Sequence, residues 1–66
     1  MQEESSVVIF GGTGFIGIFF AKFILENKFF DFVYLADLET IEEKDNSFRL
    51  ECLKDYASKY KEVRLD

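Results

Sequence analysis

All four glycines of this 66-residue chain fall within seven positions, Gly11, Gly12, Gly14 and Gly17, directly after the apolar run Val7-Val8-Ile9-Phe10. Glycine-rich turns of this kind bind phosphate. Where a buried strand turns into a helix, the free N–H groups and positive dipole end of the helix gather at the strand's C-terminal edge. Glycine lets the backbone approach an anion that a Cβ would hold off. The segment contains Gly12-x-Gly14-x-x-Gly17 and also the longer Gly11-x-x-Gly14-x-x-Gly17. Both spacings fit the pyrophosphate turn of a dinucleotide site, with Gly11 for the tight turn, Gly14 for close approach and Gly17 for close packing of the helix. The G-x-x-x-x-G spacing of a nucleoside-triphosphate loop is present from Gly12 to Gly17. Ile18-Phe19 then stands where Lys-Ser/Thr is required, so hydrolysis of ATP or GTP is not expected.

A second chemical group stands twenty residues beyond Gly17. Asp37 closes the apolar run Phe32-Val33-Tyr34-Leu35-Ala36. An acid at that place accepts hydrogen bonds from the adenosine ribose hydroxyls and repels a 2′-phosphate. No arginine follows it closely, and Lys44 is the nearest basic residue downstream. The expected cofactor is therefore NAD rather than NADP.

The elements needed to position these groups are legible in the hydrophobic pattern. Val7 to Phe10 is short and β-branched, as in a strand buried on both faces. From about Phe15 to Asn27 apolar residues recur at helical spacing, with Ile16, Phe20, Phe23 and Ile24 as the expected inner face. Asn27 and Lys28 suit its end. Leu38 to Asn46 is polar and acidic and reads as a loop, after which Asn46 or Ser47 could cap a second helix. Leu50, Leu53, Ala57 and Tyr60 supply the apolar stripe of that helix, and Glu62 to Leu65 begins a third strand. The order is β-α-β-α-β. It predicts an α/β fold, one half of a Rossmann-type doubly wound parallel sheet.

On these residues the chain resembles the opening of extended short-chain dehydrogenases/reductases, the group that includes NAD-dependent nucleotide-sugar epimerases and dehydratases. Val8 to Gly17 is similar to their first strand and turn, and Val33 to Leu38 to their second strand with its ribose-binding acid. Val63-Arg64-Leu65-Asp66 is similar to the third strand, whose terminal Asp meets the adenine amino group. The resemblance implies that the backbone of Phe15 and Ile16 contacts the pyrophosphate. It also implies that Asp37 holds the ribose, Leu38 flanks the adenine and Asp66 reaches the adenine edge. Phe10 departs from the Thr frequent in the family. Ile18-Phe19 replaces residues that are polar in many relatives, so the outer side of the first helix is not simply solvated. Residues 1–66 are accordingly expected to be the incomplete N-terminal part of an NAD(P)-binding Rossmann-like domain. A sugar-nucleotide substrate would be bound only by the remainder of such a protein.

The family's catalytic Tyr-x-x-x-Lys pair is absent. Tyr34 is followed at that spacing by Leu38, Tyr56 by Tyr60, and Tyr60 by Arg64. Cys52 has no histidine to activate it, since the chain has none. No catalytic residue is assigned, and binding is the expected contribution of this segment. A non-catalytic dinucleotide-binding module or sensor is the alternative, and a structural or assembly piece is a third.

Composition sets the remaining bounds. One cysteine and no histidine offer neither an internal disulfide nor a zinc site, so no metal is expected. The polar, acidic start, Met1 to Ser6, is unlike a secretory leader, and cytoplasmic location is expected. A net charge of −5 argues against nucleic acid, and the apolar runs are too short for a membrane span. A three-stranded parallel sheet with two helices leaves apolar surface uncovered. Phe15, Ile18 and Phe19 are expected on the outward side of the first helix, which suggests self-association.

Overall fold

The computed structural model describes residues 5–43 and 46–65. Strand β1 (Ser6–Phe10) leads through the glycine turn into helix α1 (Phe15–Glu26). Strand β2 (Phe32–Asp37), helix α2 (Asn46–Leu53), a 3-10 turn (Lys54–Tyr56) and strand β3 (Tyr60–Arg64) follow. The three strands are parallel in the order β1-β2-β3, with Val7 beside Val33, Ile9 beside Leu35, and Leu35 beside Glu62. The molecule is a small α/β domain in β-α-β-α-β order.

Two successive crossovers of the same hand, each stepping one strand in the same direction, leave both helices on one face of the sheet. The core is therefore one layer deep. Ile9, Val33 and Leu35 point from the sheet into a cluster with Ile18, Ala21, Ile24 and Leu25 of α1 and Leu53 of α2. Strand alternation sends Val8, Phe10 and Val63 to the other side, where they are 49%, 77% and 40% exposed. β1 is thus buried on one face, not on both as its unbroken apolar run suggests.

The helices also present other faces than the apolar spacing indicates. α1 buries Ile18, Ala21, Ile24 and Leu25, whereas Ile16, Phe20 and Phe23 are exposed. Only Ile24 of the expected inner face is in the core. Ile18, expected on the outward side, is fully buried, and only Phe15 and Phe19 remain outside. With apolar residues nearly all round α1, periodicity could not choose between faces. Packing of α1 on the sheet buries Ile18 and Ala21, while Phe15, Phe19, Phe20 and Phe23 stay exposed. α2 ends at Leu53, short of the expected Ala57, which is exposed, and Tyr60 already belongs to β3. Asn46 lies in the first turn of α2 rather than ahead of it. Lys44 and Asp66 are outside the described residues.

α1 stops where expected. The N–H of Lys28 donates to the Leu25 carbonyl and that of Phe29 to the Ile24 carbonyl, the two bonds of a Schellman motif. This places Lys28 at a φ of 57°, in the left-handed region that a Cβ disfavours. Among the described residues no helix is long and apolar enough to cross a membrane. Because glycine adopts this backbone without strain, Lys28→Gly should stabilise the fold by up to about 1 kcal/mol, after allowing for glycine's extra freedom in the unfolded chain. Chemical denaturation of the two proteins should show a higher midpoint with an unchanged slope.

Candidate functional site at the glycine turn

The glycine turn lies at the C-terminal edge of the sheet, clamped onto β2. The N–H groups of Gly11 and Gly12 both donate to the Ala36 carbonyl, at 2.7 and 3.3 Å. Gly11 has a φ of +75°, so the turn needs a residue without the left-handed penalty there. At Gly12 a Cβ would lie 2.7 Å from the Leu35 Cα and 2.8 Å from the Ile9 carbonyl oxygen, which is impossible without moving the strands. At Gly17 it would collide with the Gly11 carbonyl oxygen and come within 2.8 Å of the Gly12 Cα. Gly17 thus lets α1 pack on the turn itself. Gly14 differs: its only near neighbour would be the Gly11 carbonyl oxygen at 3.2 Å.

Gly14 is also the N-cap of α1. It supplies no side-chain cap, and the first turn of α1 holds no acid. The N–H groups of Phe15, Ile16 and Gly17 precede the first intrahelical bond, from the Ile18 N–H to the Gly14 carbonyl at 3.0 Å. Phe15 and Ile16 are exposed beside them. This is the arrangement that favours an anion at a helix start.

Asp37 ends β2 next to this turn. The hydroxyl of Thr13, the one polar residue between the glycines, lies 2.8 Å from Asp37 Oδ2 and 2.8 Å from the Glu39 carbonyl oxygen. Its single proton serves one of these acceptors at a time. The Leu38 N–H donates to Asp37 Oδ1 at 2.7 Å, so each carboxylate oxygen receives a donor from the protein. Leu38 itself is exposed beside the acid. Of the expected site residues, Gly11, Gly14, Phe15, Ile16, Gly17, Asp37 and Leu38 therefore gather at one edge, while Asp66 lies outside the described residues.

Three groups at this edge escape the motif. Thr13 is almost completely buried. Arg49, from the first half of α2, donates from Nε to the Thr13 carbonyl at 2.6 Å. An arginine thus meets the turn from twelve residues past Asp37, too far along the chain to notice. The clue lies in topology, because every helix start in a parallel β-α-β unit returns to the same sheet edge as the glycine turn. The third is the loop after Asp37. It is not merely polar: Ile41 is buried in the core, and its N–H donates to Glu62 Oε1 at 2.6 Å. Thr40 and Glu43 exchange hydrogen bonds between side chain and backbone, and Arg64 lies 3.3 Å from Glu43. The hydrogen bond from the Thr40 N–H, aided by Arg64, holds the Glu43 carboxyl below its usual range.

Tyr56 and Tyr60 pack against the core, and burial, with the Glu62 carboxylate adding, pushes the Tyr60 phenol up, away from deprotonation. Cys52 is half-buried in a surface hollow of about 570 Å³ beside Lys22 and Phe48, a lining that includes no residue of the glycine turn. Among the described residues no cluster of three or more His, Cys, Asp or Glu could hold a metal ion. Compared with known proteins, the chain matches no family model, no curated protein and no solved structure.

The Cβ geometry separates two roles for the glycines. Gly17→Ala should destabilise the fold by about 1–3 kcal/mol through overpacking. Gly14→Ala, whose one close contact is with a single oxygen, should cost much less. Thermal unfolding of both variants checks this, and equal losses would contradict the geometry.

Proposed function

We propose that this chain binds a dinucleotide, NAD in preference to NADP, at the edge formed by the glycine turn and Asp37. The observation that carries the reading is the 2.8 Å contact between the Thr13 hydroxyl and Asp37 Oδ2, because it brings a carboxylate beside an uncapped helix start. A pyrophosphate fits the second feature and a ribose diol the first, and a dinucleotide carries both. In this reading the N–H groups of Phe15 and Ile16 meet the pyrophosphate, Asp37 accepts from the ribose hydroxyls and Leu38 covers one side of the adenine. Asp66 would reach the adenine edge. The space at Gly14 supports its assignment to the ligand: a Cβ there would meet only the Gly11 carbonyl oxygen, at 3.2 Å, so packing demands a glycine less strongly than at Gly12 or Gly17, whereas a pyrophosphate would demand one.

The β-α-β-α-β unit is, in the same proposal, half of a Rossmann-type doubly wound sheet. It would be the dinucleotide-binding part of an NAD-dependent epimerase or dehydratase of the extended short-chain dehydrogenase/reductase type, acting on a sugar nucleotide. NAD takes a hydride from the sugar in that chemistry and usually returns it. This chain's residues bind and orient the cofactor and supply no acid or base. The exposed Val8, Phe10 and Val63 on the helix-free face support self-association of the isolated chain, which sedimentation at several concentrations would reveal as a rising mass.

Calorimetric titration with NAD and NADP tests the binding reading. Gly14→Val should abolish NAD binding while the protein still unfolds cooperatively. Asp37→Ala should weaken NAD binding by roughly 1.5–3 kcal/mol and relax discrimination against NADP. Undiminished NAD affinity in Gly14→Val, or a wild-type preference for NADP, would overturn the assignment.

A further inference from the structure

We infer that Thr13 is a positioning residue that sets the orientation of Asp37, and through it the choice between a free 2′-hydroxyl and a 2′-phosphate; the selectivity part of this inference rests on the dinucleotide reading above. Thr13 joins three elements at one point. Its side chain holds the end of β2, through Asp37, and the start of the following loop, through the Glu39 carbonyl. Its backbone carbonyl takes the Arg49 Nε–H from α2. It is the one polar residue fully withdrawn from solvent among the described residues, with 1% exposure. A buried hydroxyl must be hydrogen-bonded, and a bond to a charged acceptor is stronger than one to a carbonyl.

The Thr13 bond therefore acts on the carboxylate from the turn side, while the Leu38 N–H acts on its other oxygen. Together they fix the plane of the carboxylate relative to the glycine turn. Selectivity for a ribose diol depends on that plane, because two vicinal hydroxyls must meet the acceptor together. An ionised carboxylate accepts up to about four hydrogen bonds, so a ribose hydroxyl can bond Asp37 beside Thr13 without displacing it. Nothing in the glycine spacing requires an oxygen-bearing residue at this position. The requirement comes from the contact across the fold.

Thr13→Val keeps the shape and removes the donor, and Thr13→Ser keeps the donor. NAD affinity should fall roughly tenfold in Thr13→Val, the NAD-to-NADP ratio should narrow, and Thr13→Ser should restore both. On an Asp37→Ala background Thr13→Val should cause no further loss, because its effect passes through the carboxylate. Additive losses, or a Thr13→Ser that behaves like Thr13→Val, would overturn the role. If Thr13→Val does not fold, Thr13→Ala takes its place in the same cycle. A ligand-free measurement separates this inference from the dinucleotide reading: the three-bond Hα–Hβ couplings of Asp37 should report one rotamer in wild type and Thr13→Ser, and averaging in Thr13→Val. Should wild type bind neither dinucleotide, the reading of the site falls, and the couplings alone decide whether Thr13 positions Asp37. Averaged couplings in wild type, or couplings unchanged in Thr13→Val, would show that it does not.

Discussion

The backbone of Gly12 lies against the backbone of Leu35 with no space for a side chain, and both Gly11 and Gly12 donate to the Ala36 carbonyl. This contact ties the chain leaving β1 to the last residues of β2. From it follow the direction in which α1 departs, the depth at which Ile18 and Ala21 enter the core, and the nearness of Asp37 to the turn. A methyl group at Gly12 would push the turn off the strand and separate the two halves of the site. The glycine therefore serves packing first and chemistry second. The same holds for Gly17, whose hydrogen faces the turn. Gly14, with a single contact at 3.2 Å to the Gly11 carbonyl oxygen, is less tightly constrained than either.

The site is held from outside as well as from within. Arg49 reaches from α2 to the Thr13 carbonyl, and the loop after Asp37 is fastened by Ile41 in the core and by its N–H on Glu62. The described part of this stretch is in this way tied to the core and to β3 at Ile41. The exposed ion pairs contribute little by comparison. Lys54 and Glu51 are in contact at 2.8 Å on an open helix face, where solvent screening leaves such a pair little net effect.

The one-sided core leaves apolar residues of the sheet in solvent, and a separate aromatic cluster lies on the helices. Both helices cover the same face of the sheet, so Val8, Phe10 and Val63 on the other face stay exposed. Near the start of α1, Phe15 stacks on Phe48 at 4.9 Å with Phe19 edge-on to both, a small exposed cluster that joins α1 to α2 outside the main core. These rings extend the contact between the two helices beyond the buried cluster that Leu53 shares with α1.

The sequence by itself determined the order of elements, the turn and the acid. Glycine at Gly11 and Gly17, the short β-branched run before them and Asp37 at the end of a second run are local signals, readable because each depends on residue type and near spacing. Facing was not readable in α1: apolar residues nearly surround it, and only its packing on the sheet decides that Ile18 is buried and Ile16 and Phe20 are exposed. Nor could the unbroken apolar run of β1 reveal that one sheet face lacks cover, since that depends on both crossovers stepping the same way. Arg49 and Thr13 belong to the tertiary structure for the same reason. Their partners lie 36 and 24 residues away along the chain, and only the return of α2 and β2 to one edge of the sheet brings them into hydrogen-bonding distance.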